Sequence, residues 1–414
     1  NCACAEEGYQ ITDADLPNRL LAMVASWFPA VARRCCGSLT SQSQAGPVCV
    51  EWASWEAASQ YAADFDALKV TPPSGFDAKY EPGEEKMRLA LQAAHLSSEV
   101  YYDDPLQGPR DDSTAAAGGR GEELYQEIKL LHFAPKSAQR AVQWLLALSE
   151  SALFAVFRGT DDLQDGVVDL GAVPSWDTES GLGVHSGMYS MLRQKRMVNI
   201  TDEVIEQIGK HRREGECLVL CGHSLGGGYA QLVALQLLQD RQLENIQVQT
   251  FGAPHVVAPD AKDSKAAQLW ERLSCCSTHW VYAWDPVPRL PLCSHWLTHV
   301  IPMLSIEKFG FRVSLDPKVL GKLKPEEHLR MLSQYDVAGK VVIVSKSSPE
   351  ARCREPESQS TQKELLSQPP QKDIQTVRGL PAFHFMSNYL NIIEQLFETA
   401  ATAEAARGRT STGG

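Results

Sequence analysis

The stretch "LVLCGHSLGGGYAQLVALQLL" (residues 218–238) passes from an apolar strand pattern, through glycines gathered around one serine, into an apolar helix pattern. The spacing Gly222-x-Ser224-x-Gly226 suits a strand-to-helix elbow, in which the serine takes strained backbone angles and side chains two residues to either side would clash. Gly227 and Gly228 allow the helix to lie close on a sheet, and Ala230, Val233, Ala234, Leu237 and Leu238 are its predicted buried face. The positive end of the helix dipole falls at Ser224. Two readings of Ser224 follow, a nucleophile or a small residue in a tight turn. A serine hydroxyl attacks little at neutral pH without a base, an orienting acid and donors for an oxyanion. Those partners have to come from elsewhere in the chain.

The 414 residues, 43% of them apolar, suffice for one large domain with insertions or for two ordinary ones. With 39 Lys and Arg against 51 Asp and Glu, the net charge of −12 argues against a nucleic-acid partner and against attachment to anionic lipid by bulk charge. Eleven cysteines, an odd number with adjacent pairs at 35–36 and 275–276, match a disulfide framework poorly and favour a reducing, intracellular compartment, cytoplasmic or peripheral on a membrane or lipid droplet. The apolar run "LLAMVASWFPAVA" (20–32) is shorter than the roughly 18 to 20 residues that cross a bilayer, so no transmembrane segment is expected.

Residues 37–48 and 103–121 are rich in Gly, Pro, Ser and Asp and read as loops or disorder, with a helical pattern, "KMRLALQAAHLSSEVYY", between them. From about residue 140, strand and helix patterns alternate: "AVQWLLALSE" and "SALFAVFRG" as adjacent strands, then helix, strand and helix through the elbow, and on to "HWVYAWD" and "KVVIVSK" as strands. Such a succession predicts an α/β fold with a mostly parallel central sheet covered by helices on both faces. The expected organisation is an N-terminal helical or irregular extension over 1–85, a domain over 86–399 with a disordered insertion at 347–373, a final helix near 385–399, and an unstructured tail at 400–414.

"VFRGTDD" (156–162), "VHSGMY" (184–189), "GHSLGG" (222–227), "TFGAPHV" (250–256) and "DPVPRLP" (285–291), in that order and spacing, resemble the class 3, or fungal-type, lipases of the α/β-hydrolase fold, closest in pattern to plant-like, intracellular and diacylglycerol-lipase-like members. "AHLSSEVYY" is similar to the helix that opens many of them. The resemblance covers about residues 87–300 and 374–397. It implies a serine lipase or esterase that hydrolyses fatty-acyl esters of acylglycerols, with phospholipid or galactolipid esters next, at a membrane or droplet interface.

Asp285, just past an apolar strand, stands where the triad acid is expected in the chain order Ser, Asp, His. For the base, His384 in "LPAFHFMSNYLNII" precedes an amphipathic helix that Tyr389 and Leu390 can anchor, and resembles the terminal His-x4-Tyr pattern of plant-like members; His299 and His295 remain alternatives. The resemblance assigns the oxyanion hole to Thr160 with the N–H of Leu225, each donor being typically worth about 3 kcal/mol. It also places a lid over 161–176, with Leu163, Val167, Val168, Leu170 and Trp176 as candidate lid residues; a fixed loop is the other reading. Arg158 reads as structural, paired with a carboxylate. His223 and His185 sit in motifs that are usually structural. No phosphate-binding or dinucleotide motif occurs, and "HWLTH" lacks the Glu of a zinc-protease helix, so neither cofactor nor metal is expected. An acyltransferase, with an alcohol replacing water, and a catalytically silent lipid-binding scaffold are the rival functions.

Overall fold

A computed structural model describes residues 73–106, 127–159, 174–176, 180–193, 197–240, 243–259, 263–285, 287–290, 334–346, 348–354, 360–366 and 383–411. In chain order the elements are β1 (Ala78–Lys79), α1 (Glu84–Glu99), β2 (Lys129–Ala134), β3 (Trp144–Leu148), β4 (Ala152–Phe157), β5 (Pro174–Trp176), β6 (Gly183–His185), α2 (Ser186–Leu192), α3 (Ile200–His211), β7 (Cys217–His223), α4 (Leu225–Asp240), β8 (Ile246–Phe251), β9 (Val257–Ala258), α5 (Ser264–Cys276), β10 (Ser277–Tyr282), β11 (Lys340–Ser345), β12 (Ser348–Cys353), α6 (Gln362–Leu366) and α7 (Met386–Ser411).

Among the described residues, nine strands form one sheet in the order β1-β12-β11-β10-β8-β7-β4-β3-β2. The five central strands, β4, β7, β8, β10 and β11, are parallel, and both margins turn antiparallel. The central strands are unbroken apolar runs because helices cover both faces, and an all-buried β4 leaves no position for a solvent-facing residue. Side chains alternate between two cores. Phe154, Val156 and Val219 face α1 and α7, while Leu153, Ala155, Leu218 and Leu220 face the layer built from α2 to α5. This is the α/β-hydrolase arrangement. A small antiparallel sheet, β5-β6-β9, lies apart from the main one.

Four local expectations change. The final helix does not stop near 399: it runs to Ser411, because Ala401 is buried and Glu404 accepts the backbone N–H of Glu84 at the otherwise uncapped start of α1. The span 347–373 is not wholly a looped-out insertion, since β12 pairs with β11 and α6 buries Leu365 and Leu366 against Phe76. The extension before residue 86 also joins the body through β1, which pairs with β12. The buried face foreseen for α4 is too narrow. Gln231 and Gln236 are buried too, as α2, α3 and α5 all pack around this helix.

Candidate active site

β7 ends at His223 and α4 begins at Leu225, leaving Ser224 as the single residue between them. Its φ of 56° lies in the left-handed region, which costs a non-glycine residue about 1–2 kcal/mol. Two backbone bonds hold it there. The Ser224 N–H donates to the Phe251 carbonyl at 2.9 Å, and the Ser224 carbonyl accepts from Gly227 at 3.0 Å. A Cβ on Gly222 would enter the backbone of Gly226 and stand 2.7 Å from the Phe157 carbonyl oxygen; one on Gly226 would strike that same oxygen. Strand, helix and the end of β4 therefore approach too closely for any other residue at these two positions. Leu225, as the first helical residue, has no intrahelical acceptor for its N–H, which stays available to an anion.

Thr160 and the lid candidates Leu163, Val167, Val168 and Leu170 lie outside the described residues, and Trp176 contributes the last backbone position of β5. The turn that leads to Thr160 does reach the serine. A Cβ on Gly159 would lie 2.7 Å from the His223 carbonyl oxygen and 3.2 Å from Ser224 Cβ.

Asp285 is fully buried just beyond β10, and its carboxylate is held on both oxygens. Oδ1 accepts the Val287 N–H at 2.9 Å, while Oδ2 accepts from His384 Nδ1 at 2.8 Å and from the Tyr389 hydroxyl at 2.5 Å. Burial, followed by the charge of Asp285, pushes the Tyr389 phenol well above its ordinary range, so it remains a neutral donor. Its oxygen in turn accepts the Tyr282 N–H at 3.0 Å. The buried guanidinium of Arg289 clamps the same bend by donating to the carbonyls of Asp285 and Ala283. The carboxylate fixes the imidazole proton of His384 on Nδ1, leaving Nε2 as the basic nitrogen. That Nε2 is buried and has no hydrogen-bond partner among the described residues.

Gly252, with φ of 61°, closes this arrangement. A Cβ there would sit 2.6 Å from Asp285 Oδ2, 2.9 Å from the Tyr389 oxygen and 3.0 Å from His384 Nδ1. Gly252→Ala is therefore expected to lower ester turnover about a hundredfold, the scale of a misplacement near 1 Å, in a protein that still folds. Circular dichroism together with kcat on p-nitrophenyl butyrate checks this; unchanged kcat in the folded variant would show that the pocket adjusts.

The other histidines have different partners. His185 caps α2 by accepting the Met188 N–H at 3.3 Å. His255 lies against the 287–290 turn, its backbone N–H bonded to the Leu290 carbonyl at 2.8 Å, and burial holds its pKa down at about 3. His295 and His299 lie outside the described residues. Arg158 meets the Gln143 side-chain oxygen at 3.1 Å and the Tyr101 ring at 5.4 Å. Cys221 is buried, its thiol pushed up to about 12, and Cys217, at the strand's start, is partly buried and packs against the same core. Among the described residues no His, Cys, Asp and Glu side chains converge as a metal site, and no helix is long and apolar enough to cross a membrane. The sequence motifs did not single out Tyr101, Gly252 or Arg289. The signals were there in "EVYY", "TFGAP" and "DPVPR", but nothing local says which motif residue touches the site.

The chain matches the family described as Lipase (class 3) over residues 154–295. More particularly, it is 31% identical over 118 residues to the lipase of Rhizomucor miehei, covering 27% of this chain and 31% of that one. To the secreted mono- and diacylglycerol lipase 2 of Gibberella zeae it is 30% identical over 132 residues, covering 27% and 31%. The aligned segments thus span about a third of the length of these curated relatives. The solved Rhizomucor miehei lipase propeptide complex, at 19% identity, superposes with a TM-score of 0.47 over 78% of this chain and 84% of that one.

Proposed function

We propose that the chain is a serine lipase or esterase that hydrolyses fatty-acyl esters of acylglycerols with Ser224 as nucleophile, His384 as base and Asp285 as orienting acid. The observation that carries this reading is the buried His384–Asp285 pair, 2.8 Å apart, whose imidazole lies against the ring of His223, the residue that precedes the serine held at a strained elbow. Ser224 Oγ attacks the ester carbonyl as His384 Nε2 takes its proton. The oxyanion is met by the Leu225 N–H and by Thr160. His384 then protonates the departing alcohol, leaving an acyl-enzyme. Water enters, gives its proton to His384, and displaces the fatty acid as the proton returns to Ser224. Asp285 keeps the Nδ1–H throughout and stabilises the imidazolium.

Acylglycerols are favoured because a relative is named for mono- and diacylglycerol, with phospholipid or galactolipid esters next. In this reading residues 86–399 are the catalytic domain, 161–176 act as a lid that meets a lipid surface, and the adjacent thiols at 275–276 favour an intracellular setting. A fluorophosphonate probe should label the folded protein on the peptide that contains Ser224, and dioleoylglycerol emulsions should release oleate. Absence of both labelling and release would leave the silent scaffold; ester formation with an added alcohol in place of release would indicate the acyltransferase.

A further inference from the structure

We propose that His223 is a positioning residue for the base: its imidazole holds the backbone of His384, and the Tyr101 hydroxyl holds that imidazole in the tautomer required. The inference rests on the triad reading above and adds a second set of contacts to it. Among the described residues His384 makes two hydrogen bonds. One runs from its side chain to Asp285. The other runs to its main chain, where the carbonyl oxygen accepts from His223 Nε2 at 2.7 Å, a buried contact between residues 161 apart in sequence. The two imidazole rings also lie against each other, with centroids 4.5 Å apart and planes inclined by 31°.

The carboxylate alone leaves the base able to swing about the Nδ1–Oδ2 bond. Fixing the peptide from which the ring projects removes that freedom. His223 suits this task because it precedes Ser224 directly at the end of β7, so base and nucleophile are referred to the same strand end. A carbonyl can only accept, so Nε2 of His223 must carry the proton and Nδ1 must present a lone pair. That lone pair meets the Tyr101 hydroxyl at 3.1 Å. A protonated His223 would lose this acceptor and place a second cation against the imidazolium formed during acylation. Burial, followed by the neighbouring His384, holds the His223 pKa down at about 3, so the ring stays neutral. Tyr101 follows α1 and is steadied by the Arg158 guanidinium 5.4 Å from its ring centroid, with Arg158 itself bonded to Gln143. The helix on one face of the sheet is thereby tied to the base.

The test compares His223→Leu, His223→Gln and Tyr101→Phe in the full chain, with kcat and KM on p-nitrophenyl butyrate expressed per folded molecule by circular dichroism. Leucine removes the donor and strands a buried carbonyl, whereas the glutamine amide nitrogen can stand where Nε2 stands. The expected result is a fall in kcat of about a hundredfold for His223→Leu with KM near the wild-type value, a fall of about tenfold or less for His223→Gln, and a smaller fall in kcat for Tyr101→Phe. A merely structural role would lower thermal stability in the leucine and glutamine variants without separating their kcat values. A folded His223→Leu protein with wild-type kcat, or a glutamine variant no better than the leucine one, overturns the proposal. If His223→Leu does not fold, Tyr101→Phe decides: lowered kcat at constant KM supports the proposal and unchanged kcat overturns it. His384→Ala in the same series separates the two readings, because wild-type turnover there removes the triad itself, whereas a dead His384→Ala beside an unaffected His223→Leu removes only the positioning role.

Discussion

Ser224→Ala should lower turnover of short p-nitrophenyl esters by about 10⁴- to 10⁶-fold, the loss typical of removing a triad nucleophile. The residual rate would come from the proposed Leu225 and Thr160 donors, with water as the attacking group. Thermal stability should hardly change. Alanine keeps the Cβ and so inherits the same left-handed backbone at φ 56°, and the backbone bonds to Phe251 and Gly227 do not involve the side chain. Kinetics beside a thermal melt make the measurement. A variant that kept more than about a tenth of wild-type activity would exclude Ser224 as the nucleophile.

His384→Ala is expected to have an effect of about 10⁴-fold or more on kcat, with His299→Ala and His295→Ala remaining close to wild type. Removing the imidazole takes away the proposed proton acceptor for Ser224 and leaves Asp285 Oδ2, which is fully buried, with the Tyr389 hydroxyl as its remaining side-chain donor among the described residues. Stability should therefore also fall, by about 1–3 kcal/mol, the usual consequence of depriving a buried acceptor of a partner. Turnover and denaturant unfolding of the three variants test this together. A folded, active His384→Ala protein beside a folded, inactive His299→Ala protein would move the base to the 295–299 segment.

Much of the sheet could be read along the chain. Strands β3, β4, β7, β8, β10 and β11 and the helices between them follow from apolar runs set off by turn residues, because strands covered on both faces admit little else. β2 and β12 were less visible. Both belong to the antiparallel margins, where partly exposed positions dilute the apolar signal: β2 reads KLLHFA with one residue fully buried. The helical end at 400–411 was hidden for a related reason, since an Ala-rich polar stretch is ordered by α1 beneath it and not by its own pattern.

The sequence alone determined the elbow, since the Gly-x-Ser-x-Gly spacing, the strand before it and the helix after it are contacts within a few residues. The position of Asp285 was legible as well, because a carboxylate directly beyond an apolar strand ends up at the sheet's carboxyl edge wherever that strand lies. The choice among histidines was not local. Residues 99 apart come within 2.8 Å only once β10 and α7 take their places beside β8 and β11, and no periodicity encodes that meeting. The same holds for Gly252, Tyr389 and the Tyr101–His223 pair. Their significance lies in which atoms a Cβ, a phenol or an imidazole meets across the fold, and tertiary packing decides such distances.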